Sequence, residues 1–178
     1  ACWVIVAGTS VREDCVSKVE GISMALEDVR ADWARGKLWA LAVYDTSWTP
    51  PGGFYILEWD SGKWRIATQI SNLRWDAHRA DANLIDVTDD GKVVTLAHLT
   101  DRQGRVVDTR LVVFDPSTKK LADVSVERFG LPKNPSSATL AVYGGRVLIG
   151  TVAKISETAF RARLVAVDPL TLSYKDLL

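Results

Sequence analysis

LVVFDPSTKKLADV, residues 111–124, decides how this chain is read. Leu111–Phe114 is a short run of β-branched and large apolar side chains that ends on Asp115, and a second run starts at Leu121. The residues between them have turn chemistry. An Asp carboxylate accepts hydrogen bonds from the amides just ahead of it, and a following Pro presets φ. Two apolar runs joined this way predict an antiparallel hairpin. The same pattern returns in RLVAVDPLTLSYKDL, residues 163–177, and in FYILEWD, residues 54–60, followed by Ser61-Gly62-Lys63 and WRIATQI. Asp60, Asp115 and Asp168 are therefore equivalent markers, 55 and 53 residues apart.

A second marker agrees with the first. Gly36-Lys37, Gly91-Lys92 and Gly145-Arg146 each open an apolar strand, KLWALAVYD, KVVTLAHLT and RVLIGTVAK, at spacings of 55 and 54 residues. Self-similarity at a fixed period of this size marks a stacked repeat. NLIDVTDDG and ATLAVYGG add a leading strand to the second and third units, which makes each a four-stranded meander.

The N-terminal segment reads differently. Cys2–Gly8, CWVIVAG, predicts a buried strand. Ser10-Val11-Arg12-Glu13 has capping-box spacing. Apolar residues then fall at Val11, Cys15, Val19, Ile22, Leu26, Val29 and Trp33, in steps of 4, 4, 3, 4, 3 and 4. That stripe predicts one amphipathic helix over about residues 11–35, closed by Gly36, with Gly21 as a weak point. Cys15 lies on the stripe as a core thiol. A Cys2–Cys15 disulfide would need a hairpin turning at Gly8-Thr9 instead.

The segments LVVFDPSTKKLADV and RLVAVDPLTLSYKDL resemble the outer hairpins of β-propeller blades of the quinoprotein-like kind, over residues 37–178. Two departures accompany the resemblance. Closed propellers have roughly 4–8 blades, whereas about three units are present here. The helix also stands where the first unit would have its leading strand. Aligning LEDVRADWARG, residues 26–36, as that leading strand is the rival reading, and the helical stripe outweighs it. The expected fold is mainly β: about three antiparallel meander sheets of about 54-residue period, preceded by one strand and one amphipathic helix. Residues 1–36 form a cap or assembly element, and residues 37–178 form the repeat domain.

Composition bounds the function. The 22 basic and 22 acidic residues cancel, which gives no basic field for nucleic acid. No apolar run approaches the roughly 20 residues that span a bilayer. Asn, Gln, Met and Cys are scarce while charged residues make up 25% of the chain, a pattern seen in thermophile proteins. The chain starts at Ala1 rather than Met, as a processed or excised chain does, and a secreted or cell-surface location is the expectation.

Chemistry-bearing residues are few. Asp76, His78 and Asp81 form a D-x-H-x-x-D loop with the residue types of a metal-site fragment, and loop composition alone accounts for it. Asp86–Gly91 starts like a calcium loop, but its twelfth position would be Ala97, where a bidentate Glu is required, so a hairpin turn is expected. His98 sits inside a strand as a core histidine. No Gly-x-Ser-x-Gly elbow or phosphate-binding loop is present, and no cofactor is implied. All seven tryptophans lie within the first 75 residues. Trp59 and Trp64 flank a turn and should meet across their hairpin. Trp48, on the proline-stiffened loop DTSWTPPGG, and Trp75 are candidate ligand contacts together with Asp76, His78 and Asp81.

An open stack of sheets leaves unpaired faces and edges at its ends. Such an array is completed by caps, a larger parent chain or assembly, or another subunit, and the sequence therefore predicts a noncatalytic structural or interaction module that self-associates into an oligomer or filament or belongs to a larger parent assembly. The alternative is a small-molecule or glycan-binding module of propeller type that uses the tryptophan-rich first half.

Overall fold

The computed structural model describes residues 16–44, 54–71, 84–100, 103 and 105–178. Among the described residues thirteen strands form three antiparallel meanders. The first sheet holds β1 (Val16–Val19), β2 (Ile22–Asp32), β3 (Lys37–Tyr44), β4 (Phe54–Asp60) and β5 (Lys63–Ser71), in that order. The second holds β6 (Leu84–Val87), β7 (Val93–Thr100), β8 (Val106–Asp115) and β9 (Lys120–Ser125). The third holds β10 (Ser137–Tyr143), β11 (Arg146–Lys154), β12 (Phe160–Val167) and β13 (Tyr174–Asp176). A 3-10 turn, Val126–Phe129, links the second sheet to the third and buries Val126 and Phe129.

The repeat is visible in the register. Leu41 pairs with Ile56, Leu96 with Leu111 and Gly150 with Leu164. Each first partner lies four residues past its basic marker, Lys37, Lys92 or Arg146. The turn aspartates are equivalent too. Asp115 Oδ1 accepts the amides of Ser117 and Thr118 at 2.9 and 3.3 Å. Asp168 Oδ1 accepts those of Leu170 and Thr171 at 2.8 and 3.1 Å. Four residues on, Lys119 and Leu172 both take positive φ, 59° and 57°. The first unit uses a tighter turn, in which Ser61 and Gly62 both have positive φ, as a two-residue hairpin requires. Trp59 and Trp64 pair across it edge to face, with ring centroids 5.2 Å apart.

The N-terminal helix is not present. Residues 16–32 form β1 and β2, joined by a two-residue turn at Glu20-Gly21 with φ of 50° and 85°, and β2 pairs with β3 from Met24 to Asp32. The apolar stripe has a different cause. Strand alternation places Ile22, Met24 and Leu26 on one face. A bulge between Leu26 and Asp28 adds one residue, so that Val29 and Ala31 continue that face. A turn at residues 20–21 and a bulge at residue 27 thus convert steps of two into 3, 4 and 3 across Val19, Ile22, Leu26 and Val29. The alignment of LEDVRADWARG as the leading strand of the first unit is the correct one. The expected strand at Cys2–Gly8 and both cysteines lie outside the described residues.

Two cores hold the three sheets face to face. Between the first and second sheets lie Trp39, Leu41, Phe54 and Ile56 against Ile85, Val93, Ala97 and Phe114, with Trp39 edge-on to Phe114 at 6.4 Å. Between the second and third lie Val94, Leu96, Leu111 and Val113 against Leu140, Val147, Ile149, Val165 and Val167. The leading strands β2, β6 and β10 run side by side through the stack.

Candidate functional site

Trp48, Trp75, Asp76, His78 and Asp81, the ligand contacts expected from sequence, all lie outside the described residues. Among the described residues no group of three His, Cys, Asp or Glu side chains is placed to hold a metal. No helix among them is long and apolar enough to cross a membrane. His98 is buried in β7, and its Nδ1 lies 2.6 Å from Thr109 Oγ1, which in turn donates to the Lys133 carbonyl at 2.7 Å. This is a satisfied core histidine, as its strand position implied. Asp86–Gly91 closes the β6–β7 hairpin: the Thr88 amide donates to the Lys92 carbonyl at 2.9 Å, the Gly91 amide donates to the Thr88 carbonyl at 2.8 Å, and Asp90 pairs with Lys92.

The first feature that sequence reading missed is a carboxylate latch between sheets. The edge strand of each sheet points a row of amides away from its own ladder, and these need acceptors. Asp28 Oδ2 takes the amide of Ile85 on β6 at 3.0 Å, and Asp86 Oδ2 takes the amide of Val142 on β10 at 2.8 Å. In both cases Oδ1 holds the amide of the next residue, Val29 or Val87, at 2.9 Å. Arg30 braces the first junction, donating from Nε to the Ile85 carbonyl at 3.2 Å and lying 3.6 Å from Asp86. The signal in the sequence is Leu-x-Asp-Val, present at Leu26–Val29 and again at Leu84–Val87. In the third unit the register equivalents of Leu84 and Asp86 are Thr139 and Ala141, with no carboxylate.

The second feature is that the two ends of the stack differ. The outer face of the first sheet is covered. Val19 and Met24, 2% and 0% exposed, pack with Ala40, Ala42, Tyr55 and Leu57. Glu20 Oε1 accepts the Ile66 amide at 3.3 Å, which ties the β1–β2 turn down onto β5. The outer face of the third sheet has no such cover among the described residues. It presents Ala141 on β10, Leu148, Gly150 and Val152 on β11, and Ala162 and Leu164 on β12. These positions are the register equivalents of buried interface residues. Leu164 is half-buried where Ile56 and Leu111 are fully buried, and Leu148 is half-buried where Trp39 and Val94 are buried. The centre of the face is flat, since a Cβ on Gly150 would come within 2.8 Å of Thr139 Cγ2, while exposed Tyr143 and Phe160 stand on the same face opposite Arg146 and Lys154. Its charged groups, Arg146, Lys154 and Lys175, stand at the margins, and Arg146 is paired with Asp168 at 2.8 Å.

No protein-family model matches the chain, and no curated protein matches it. Among solved structures it is similar to a GH43 β-1,3-galactosidase solved with galactodeoxynojirimycin, at 13% identity and a TM-score of 0.45. That match covers 84% of this chain and 55% of the galactosidase. The chain thus spans about half the length of that protein. The three meander sheets are themselves consistent with propeller-like blades.

Proposed function

We propose that this protein is a noncatalytic structural or interaction module and that its working surface is the outer face of the third sheet, through which it self-associates. The observation that carries this is Leu164, half-buried at a position whose two equivalents, Ile56 and Leu111, are sealed by a neighbouring sheet. Covering apolar surface is worth roughly 25 cal/mol per Å2, so a face with interface chemistry favours a partner. Size-exclusion chromatography with light scattering over a range of concentrations tests it. A mass above the 19.6 kDa of one chain is expected, and a constant monomer mass would refute it.

A second reading is a glycan- or small-molecule-binding module, favoured by Trp33. Its indole is 90% exposed on the β2–β3 turn, and Arg35 pairs there with buried Asp32 and donates to the Asp89 carbonyl. A rigidly presented aromatic face is what sugar rings stack on. Titrating soluble oligosaccharides against the tryptophan fluorescence of the wild type and of Trp33→Ala tests this reading, and identical flat titrations would remove it.

A further inference from the structure

We infer that Asp90-Gly91 is a guarded isoaspartate site: the β6–β7 turn keeps the Asp90 side chain from closing on the Gly91 amide, and closure, once it occurs, loosens the first sheet from the second. It is the one Asp-Gly pair in the sequence, which contains no Asn-Gly. A glycine after an aspartate leaves the attacking amide nitrogen unshielded, because no Cβ stands beside it. In the reaction the Gly91 nitrogen attacks Cγ of the protonated Asp90 carboxyl. The new N–Cγ bond forms as the Cγ–OH bond breaks, and the hydroxyl leaves with the amide proton as water. A second water then opens the five-membered imide. Where it breaks the bond from the Gly91 nitrogen to the Asp90 backbone carbonyl carbon, Gly91 stays attached through Cγ. The main chain is then longer by one methylene, and the Asp90 α-carboxyl is free.

The turn opposes each part of the closure. Asp90 Oδ1 accepts from the Thr88 hydroxyl and Oδ2 from the Lys92 ammonium. Lys92, and then Thr88, hold the Asp90 carboxyl below its usual range, so it is ionised and carries no hydroxyl to lose. Thr88 is itself fixed: it is 3% exposed, and its Oγ1 accepts the Lys92 amide at 2.9 Å. The Gly91 amide donates to the Thr88 carbonyl at 2.8 Å, which sets the plane of the peptide. Closure therefore has to break the Asp90 contacts and turn that peptide before nitrogen and Cγ reach attacking geometry. Water has access for the second step, since the Asp90 side chain is 59% exposed. The product does not fit the junction between the sheets. Gly91 is buried, and a Cβ on it would lie 2.7 Å from Arg35 Nε. Arg35 donates from Nη2 to the Asp89 carbonyl at 2.8 Å and pairs with buried Asp32. A methylene added between residues 90 and 91 pushes the turn against that guanidinium, and the bridge from the β2–β3 turn to the β6–β7 turn is lost.

Incubating the full chain in neutral buffer, folded and in urea, tests this. Isoaspartate is read by isoaspartyl methyltransferase labelling and by peptide mapping around Asp90. Conversion at Asp90 should be at least about tenfold slower in the folded protein than in the unfolded one. Lys92→Met should raise the folded rate about fivefold, a modest factor because the Asp90 end of the pair is exposed. Equal rates in the folded and unfolded chain overturn the guard, and that comparison needs no variant to fold. A folded Lys92→Met that converts at the wild-type rate overturns the role of Lys92. Isomerised protein, separated from the unmodified chain, should have a lower urea midpoint, and an unchanged midpoint overturns the coupling to Arg35.

Discussion

Replacing Asp86 by Ala should loosen the third sheet from the second. Asp86 Oδ2 accepts the Val142 amide at 2.8 Å, and Oδ1 accepts the Val87 amide at 2.9 Å. Hydrogen bonds to a charged group contribute about 1.5–3 kcal/mol each. The carboxylate is 22% exposed, so water can replace the local bond to Val87 more readily than the bond across the sheets. The Arg30 pair, at 3.6 Å with a half-exposed guanidinium, adds under about 1 kcal/mol. The net loss for Asp86→Ala is therefore about 2–3 kcal/mol, a large share of the roughly 5–15 kcal/mol that holds a domain folded. Asp86→Asn keeps one acceptor and should lose about half as much. Urea titration followed by circular dichroism gives the shift. Trp33, Trp39, Trp59 and Trp64 belong to the first sheet and its β2–β3 turn and no tryptophan follows residue 75, so fluorescence does not report the third sheet while dichroism reports all three. The two transitions should coincide in the wild type and separate in Asp86→Ala, and the Val142 amide should exchange faster. A loss below about 0.5 kcal/mol with unchanged Val142 exchange would refute the latch.

The cover on the first sheet predicts that Met24→Asp destabilises the protein by about 3–5 kcal/mol, because it buries an unpaired charge. Val29→Asp, at a site 44% exposed, should change stability by less than about 1 kcal/mol, and similar urea midpoints for the two variants would dismiss the cover. The turn aspartates predict an acid-side effect. The Ser117 hydroxyl and amide, with Thr118, hold the Asp115 carboxyl down from 3.8 to about 2, and the amides of Thr171 and Leu170 lower that of Asp168. A carboxyl lowered in the folded state contributes stability that is present above its unfolded value of 3.8 and lost as pH falls toward the folded one. The double variant Asp115→Asn, Asp168→Asn should therefore flatten the fall in urea midpoint between about pH 4 and about pH 2, and an unaltered slope would show that the turns do not contribute.

The sequence was legible where local chemistry and period agreed. Asp115-Pro116 and Asp168-Pro169 specify a turn without help from the rest of the fold, and their spacing revealed the repeat. Trp59 and Trp64 could be paired because a two-residue turn leaves one register. The segment 11–35 misled because a turn and a bulge within a strand produce helix-like spacing; the positive φ at Glu20 and Gly21 appears only in the structure. Asp28 and Asp86 were hidden for a related reason. One lay on the solvent side of the supposed helix and the other in a turn, and neither position shows which strand edge lies beside it. The open face was equally hidden, because RVLIGTVAK is apolar on both faces, like the sheathed strand KVVTLAHLT. Its one distinguishing mark is small residues, Ala141, Gly150 and Ala162, where the inner sheets carry larger ones.

The bulge between Leu26 and Asp28 joins the two ends of this reasoning. Before it, Met24 and Leu26 face outward and help close the first sheet. After it, Asp28 reaches the Ile85 amide and fastens that sheet to the second. A regular strand would keep residues 24, 26 and 28 on one face, so that a carboxylate in phase with the cover would lie on the wrong side for the latch. One inserted residue therefore lets a single strand serve the outer cover and the inner junction together. The third unit has neither device: Ala141, opposite Leu148, stands where Asp86 stands opposite Val94.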